Sequence, residues 1–139
     1  MKITHKLKSS QEFYQIDKRE INEVLEFIMF HFPKLKPVVN YIREIQVIRD
    51  KEKGWIYKGL WHTKSRVIKI YPYHHAEYNI RAEKYEAKWN TLPHEVYHAY
   101  QFMMAETTHS IPNSLWTIED EAEEFARIVW LTAIGEGRD

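Results

Sequence analysis

The sequence predicts an α+β fold with an N-terminal backing helix, an antiparallel meander of three or four strands, and two C-terminal helices. Helical spacing of apolar residues dominates the first third of the chain and returns near residue 91. Between them lie short β-branched and aromatic runs, separated by turn-forming residues. With 139 residues, of which 44% are hydrophobic and 29% charged, the chain is expected to form a single domain over 1–139.

The first helix is expected over residues 17–31. Asp17 followed by Glu20 fits a capping box, in which side-chain oxygens accept from backbone amides at the start of the helix. Pro33 cannot donate to a helical hydrogen bond and so ends the helix. Apolar residues at helical spacings give it a face toward the core: Ile16, Ile21, Val24, Leu25, Ile28 and Phe32.

The middle of the chain predicts strands over 45–48, 55–61 and 66–71. Turn-forming residues separate neighbouring runs, which favours a meander of consecutive antiparallel strands. Residues 76–90 are charged and lack an apolar stripe, so we expect a short exposed helix or a long loop there.

Two helices are expected near the C-terminus, beginning close to Thr91 and Thr117. Gly135 is a suitable stop for the second helix. One apolar face is expected on the first helix, formed by Leu92, Val96, Ala99 and Met103. A buried stripe is expected on the second helix, formed by Ile118, Ala122, Phe125, Ala126 and Val129.

Composition excludes several kinds of site and partner. The chain has 20 basic and 20 acidic residues, so charge gives no reason to expect binding to nucleic acid or an anionic membrane. With no cysteine, any metal must be held by histidine and carboxylate side chains. No apolar run approaches the ~20 residues of a membrane span, and residues 1–10 do not resemble a signal peptide, so a cytoplasmic location is expected.

The segment His94-Glu95-Val96-Tyr97-His98 has the pattern HExxH. On a helix, residues four apart lie on one face, so His94 and His98 can bind the same ion. Glu95 would lie beside that ion, where it can hold a metal-bound water rather than coordinate the metal.

A catalytic zinc usually takes three protein ligands, so a third is needed from a separate element. The acidic run 119–124 offers several carboxylates, although such a run is also typical of a solvated helix N-terminus. The metzincin pattern is excluded, because the positions after His98 carry neither its glycine nor its third histidine.

Together, HExxH at 94–98 and E-x-x-A-x-x-F-A at 119–126 resemble the gluzincin metallopeptidases. Within that group the chain is most similar to the small cytoplasmic members, the minigluzincins and the ImmA/IrrE type. The resemblance implies a zincin-like fold, a Zn²⁺ cofactor and Glu119 as the third ligand. Glu123 fits the shorter E-x-x-A pattern and remains an alternative ligand. The resemblance otherwise implies that Glu123 accepts a hydrogen bond from a ligand histidine.

The activity implied is zinc-dependent hydrolysis of peptide bonds in a peptide or protein substrate, with Glu95 as general base on a zinc-bound water. The alternative is a zinc-binding regulatory or interaction module on a peptidase fold. By the same resemblance, the strand before the active-site helix lines the cleft and pairs with substrate; this implicates Val67, Ile68, Lys69 and Ile70. Several side chains are candidates for oxyanion stabilisation: Tyr73, His74, His75, Tyr100 and His109.

Overall fold

The computed structural model describes residues 1–6, 16–48, 58–71, 80–108 and 115–139. These residues form an α+β structure in which helices pack on a four-stranded mixed sheet. The main elements are β1 (Lys2–Lys6), α1 (Lys18–His31), α2 (Val38–Tyr41), β2 (Glu44–Ile48), β3 (Gly59–His62), β4 (Val67–Ile70), α3 (Ile80–Glu86), α4 (Leu92–Thr108) and α5 (Leu115–Gly135). None of the helices in these ranges is long and apolar enough to cross a membrane.

The sheet has the strand order β1-β2-β4-β3, so the predicted antiparallel meander is wrong. A meander would place β3 between β2 and β4, whereas β4 pairs with both, parallel to β2 and antiparallel to β3. β1 adds a fourth strand, parallel to β2. The predicted strand over 55–61 is seen as β3, and its residues 55–57 lie outside the described part of the chain.

β4 is an interior strand of the described sheet, which corrects the expectation that it pairs with substrate. Val67, Ile68 and Ile70 are buried, as is usual for a strand covered on both faces. Its backbone is hydrogen-bonded to a neighbour on each side, so it cannot accept a further strand. The expected substrate contact through Val67, Ile68, Lys69 and Ile70 therefore loses its structural basis.

The predicted first helix is confirmed as α1 and begins at its expected cap. The Glu20 amide donates to Asp17 Oδ1 at 2.7 Å, and the Asp17 amide donates to Glu20 Oε1 at 3.2 Å. This reciprocal pair satisfies two amides that have no partner inside the helix. On its buried face the Phe27 ring meets that of Trp89 at a centroid distance of 5.1 Å.

Residues 80–91 differ from the expected exposed helix or loop. α3 leads into a π-helix over Ala87–Thr91, which continues directly into α4. Trp89 is fully buried, and its indole N–H donates to the carbonyl oxygen of Asp139 at 2.8 Å. The Lys88 ammonium is also buried and lies 2.9 Å from Glu23 Oε1. These contacts fix the segment from which α4 begins.

α5 packs along α4 through the stripe predicted from sequence. Ile118, Ala122, Phe125, Ala126 and Val129 are all buried, and α5 ends at Gly135 as expected. The Phe125 ring stacks on Tyr97 of α4 at a centroid distance of 4.7 Å. This contact brings the first turns of α5 beside the HExxH segment.

β3 approaches α4 closely at Gly59. A Cβ atom at this position would lie 2.7 Å from Thr91 Cγ2 and 3.0 Å from Glu95 Cγ. Such distances are shorter than ordinary van der Waals contacts, so only glycine lets the strand lie this close to the helix.

Gly59→Ala is expected to lower the free energy of unfolding by about 1–3 kcal/mol, because the added methyl must push β3 away from α4. Gly135→Ala is the matched control, since a Cβ at that position meets no atom within 4 Å. Urea unfolding of both variants measures the difference. A Gly59→Ala variant as stable as the wild type would contradict the close approach.

Candidate metal centre

The three side chains predicted as metal ligands meet at one point between α4 and α5. His94 Nε2 lies 3.1 Å from His98 Nε2 and 3.2 Å from Glu119 Oε2. His98 Nε2 lies 2.8 Å from the other carboxylate oxygen, Glu119 Oε1. The histidines come from successive turns of α4, and the carboxylate comes from the start of α5.

The three groups fit a zinc ion. Zinc binds histidine nitrogen and carboxylate oxygen at about 2.0–2.2 Å with tetrahedral angles, which separates ligand atoms by about 3.3–3.6 Å. The observed separations of 2.8, 3.1 and 3.2 Å are slightly shorter, so a small outward movement of the side chains would accommodate the ion. Two imidazoles and one carboxylate are also a donor set typical of catalytic zinc sites.

The pKa of His94 is lowered, mainly by burial and further by His98, with Glu119 acting in the opposite direction. A lowered pKa keeps the ring neutral near neutral pH. A neutral imidazole has the nitrogen lone pair that a metal requires, so the environment of His94 favours metal binding over protonation.

Glu95 lies in the same cleft and is 6% exposed. Burial, reinforced by the negative charge of Glu119, raises the pKa of its carboxyl to about 8. It is not part of the converging triad, in keeping with its predicted place beside the ligands. A buried acid whose pKa is moved toward neutrality, next to a possible metal site, is typical of catalytic centres.

The triad opens into a cleft of about 510 Å³, a volume within the usual range of small-molecule sites. β3 and the residue before it form one wall, with Lys58, Gly59, Leu60 and Trp61. The Lys58 ammonium lies 2.6 Å from Glu86 Oε2, at a point where β3 faces the end of α3. The cleft therefore lies between the outer strand of the described sheet and the two helices that carry the triad.

The other predicted site residues are distributed as follows. Glu123 lines the cleft, but within the described residues no hydrogen bond joins it to either histidine, and its roles stay predictions. Of the candidates for oxyanion stabilisation, Tyr100 does not line the cleft. The remaining four, Tyr73, His74, His75 and His109, lie outside the described residues.

Gln101 is a site residue that the sequence analysis missed. Its Oε1 lies 2.9 Å from His98 Nδ1, and its Nε2 lies 3.0 Å from both the Ile118 carbonyl oxygen and Glu121 Oε2. Its position three residues after His98, on the same helical face, was the available signal.

No family model, curated protein or solved structure that was compared with this chain matches it. The chemistry of the site must therefore be inferred from its own geometry.

In metal-free protein, Glu95 is expected to make stability depend on pH. Its folded-state pKa of about 8 lies above its ordinary value of 4.5, so the unfolded state releases this proton first as pH rises. The contribution of Glu95 to the free energy of unfolding is therefore greatest below pH 4.5 and falls until about pH 8, by at most about 1.4 kcal/mol per pH unit.

Glu95→Gln isolates this effect because glutamine does not titrate. Urea unfolding in the presence of a chelator should show the variant gaining stability over the wild type as pH rises from about 4.5 to about 8. A stability difference independent of pH would contradict the raised pKa.

Proposed function

We propose that this chain is a zinc-dependent metallopeptidase of the gluzincin type, with a zincin-like arrangement of its sheet and helices, that hydrolyses peptide bonds. One observation carries the proposal: His94, His98 and Glu119 converge beside the buried Glu95 in an open cleft. A structural ion pair would need neither the cleft nor a buried carboxyl beside it.

His94, His98 and Glu119 are the residues that would hold zinc. The two histidines lie on successive turns of α4 and are largely buried, while Glu119 is half exposed toward solvent. A bound zinc ion would supply Lewis acidity, which polarises a peptide carbonyl and lowers the pKa of water at its open position.

Glu95 would accept and donate the proton that is transferred in peptide hydrolysis. Its burial disfavours the ionised form and brings its pKa close to the pH of the reaction, which suits a group that first accepts and then donates a proton. In peptide hydrolysis it would accept a proton from the attacking water and deliver it to the leaving amine. The charge of a bound cation would lower this pKa and favour the accepting form.

Substrate would bind along β3, the strand that lines the cleft, instead of along β4. Carboxylates in the cleft, from Glu119 and Glu123, would repel a polyanion such as nucleic acid. These features together favour a peptide or protein substrate.

Three substitutions separate metal binding from proton transfer. His94→Ala and Glu119→Gln are expected to lose zinc, because each removes one of three ligands. Glu95→Gln should keep zinc and lose about 10²–10⁴-fold of the hydrolysis rate, because it removes only the proton carrier. Elemental analysis gives zinc per chain, and mass spectrometry of a mixed peptide library gives cleavage.

Glu124→Gln is the matched control, since this exposed carboxylate on α5 pairs with Arg127 away from the cleft. It should keep both zinc and activity. Zinc loss in Glu123→Gln but not in Glu119→Gln would move the third ligand to Glu123. A wild type that binds zinc but cleaves no peptide, or unchanged turnover in Glu95→Gln, would contradict the peptidase and favour a binding module.

A further inference from the structure

We propose that Gln101 is a positioning residue that fixes which ring nitrogen of His98 carries the proton and ties α4 to the start of α5. The consequence for zinc affinity rests on the proposed function. The consequence for the histidine tautomer concerns the metal-free protein alone.

The orientation of the Gln101 amide follows from its partners. One end faces the Ile118 carbonyl oxygen and a Glu121 carboxylate oxygen, both at 3.0 Å. Both partners can only accept hydrogen bonds at neutral pH, so the end that faces them must be the NH₂ group. The other end is then the amide oxygen, which lies 2.9 Å from His98 Nδ1.

An amide oxygen can only accept, so His98 Nδ1 must carry the proton and donate it. In the neutral ring, Nε2 then holds the lone pair. This nitrogen points into the triad, 2.8 Å from Glu119 Oε1 and 3.1 Å from His94 Nε2. Acceptor atoms at these separations repel one another unless a proton or a cation lies between them, so Gln101 preorganises His98 to bind a cation.

The same amide connects the two helices that supply the triad. Ile118 immediately precedes Glu119, so the hydrogen bond to its carbonyl fixes the backbone next to the third ligand. The bond to Glu121 holds the following turn. Gln101 thus sets the protonation of one ligand and the position of another.

Substitutions at position 101 separate the effect on the His98 tautomer from the connection between α4 and α5. Gln101→Leu removes all three hydrogen bonds. Gln101→Glu keeps an acceptor for His98 but loses both donors and faces the carboxylate of Glu121. Gln101→Glu combined with Glu121→Gln exchanges the two side chains and restores a donor between them, with the same total charge. Thr107→Val is the control, because Thr107 is an exposed residue of α4 whose hydroxyl donates to the Met103 carbonyl oxygen of its own helix.

Two readouts are needed, at a pH of about 8, above the ordinary pKa of an imidazole. Two-bond ¹H–¹⁵N correlation spectra of metal-free protein report the His98 tautomer, and competition with a chelator reports zinc affinity. We expect Nδ1–H in the wild type, in Gln101→Glu and in the control. We expect Gln101→Leu to lose this preference and to bind zinc about 10–100-fold more weakly. Gln101→Glu should also bind weakly. The exchanged pair should recover part of the affinity, because it restores the bond to position 121 but not the bond to the Ile118 carbonyl oxygen.

An unchanged His98 tautomer in Gln101→Leu would overturn the proposal, even in an enzyme that binds zinc and cleaves peptides. If the exchanged pair recovers no affinity over Gln101→Glu, the connection between the helices through position 121 is overturned. If the wild type neither binds zinc nor cleaves peptides while Gln101→Leu still shifts the tautomer, the proposed function fails and the positioning of His98 is supported.

Discussion

The packing of α5 against α4 determines whether the candidate site exists. His94 and His98 are carried by one helix and Glu119 by the other, so the distances among them depend on how closely the helices approach. Small buried side chains, Ala99 on α4 and Ala122 on α5, leave room for this approach. Apolar contacts therefore position the polar groups, and a shift of one helix by about 1 Å would separate the triad.

Under the proposed function, the burial of Glu95 lowers stability and favours proton transfer. The close approach of β3 at Gly59 helps to remove the Glu95 carboxyl from water. Burial of an acid disfavours folding when the acid must ionise, and the same burial moves its pKa into the range useful for proton transfer. Positions of this kind are commonly retained because activity requires them, at a cost in stability.

Local patterns in the sequence predicted the parts of the structure that depend on near neighbours. The capping pair at Asp17 and Glu20, the buried stripe of α5 and the shared face of His94 and His98 all follow from helical spacing. In each case successive residues of the pattern lie about one turn apart, so periodicity alone locates them.

The sequence predictions that were wrong or missing concern contacts between residues far apart in the chain. Alternating hydrophobicity identifies a strand but not its neighbours, so the insertion of β4 between β2 and β3 could not be read from the sequence. β1 was not expected because Ile3 is the one apolar residue of its sequence, which gives no run of alternating hydrophobicity. Trp89 is buried because the backbone of Asp139, 50 residues later, completes its surroundings. Gln101 acquires its role from Ile118 and Glu121, on another helix.

The most direct test of the central claim is the position of zinc in a crystal of the zinc-loaded protein, located by anomalous scattering at the zinc absorption edge. The account predicts one strong peak between α4 and α5, about 2.0–2.2 Å from the Nε2 atoms of His94 and His98 and from a Glu119 oxygen. A peak held by other side chains, or an absence of zinc from the triad at full saturation, would contradict it.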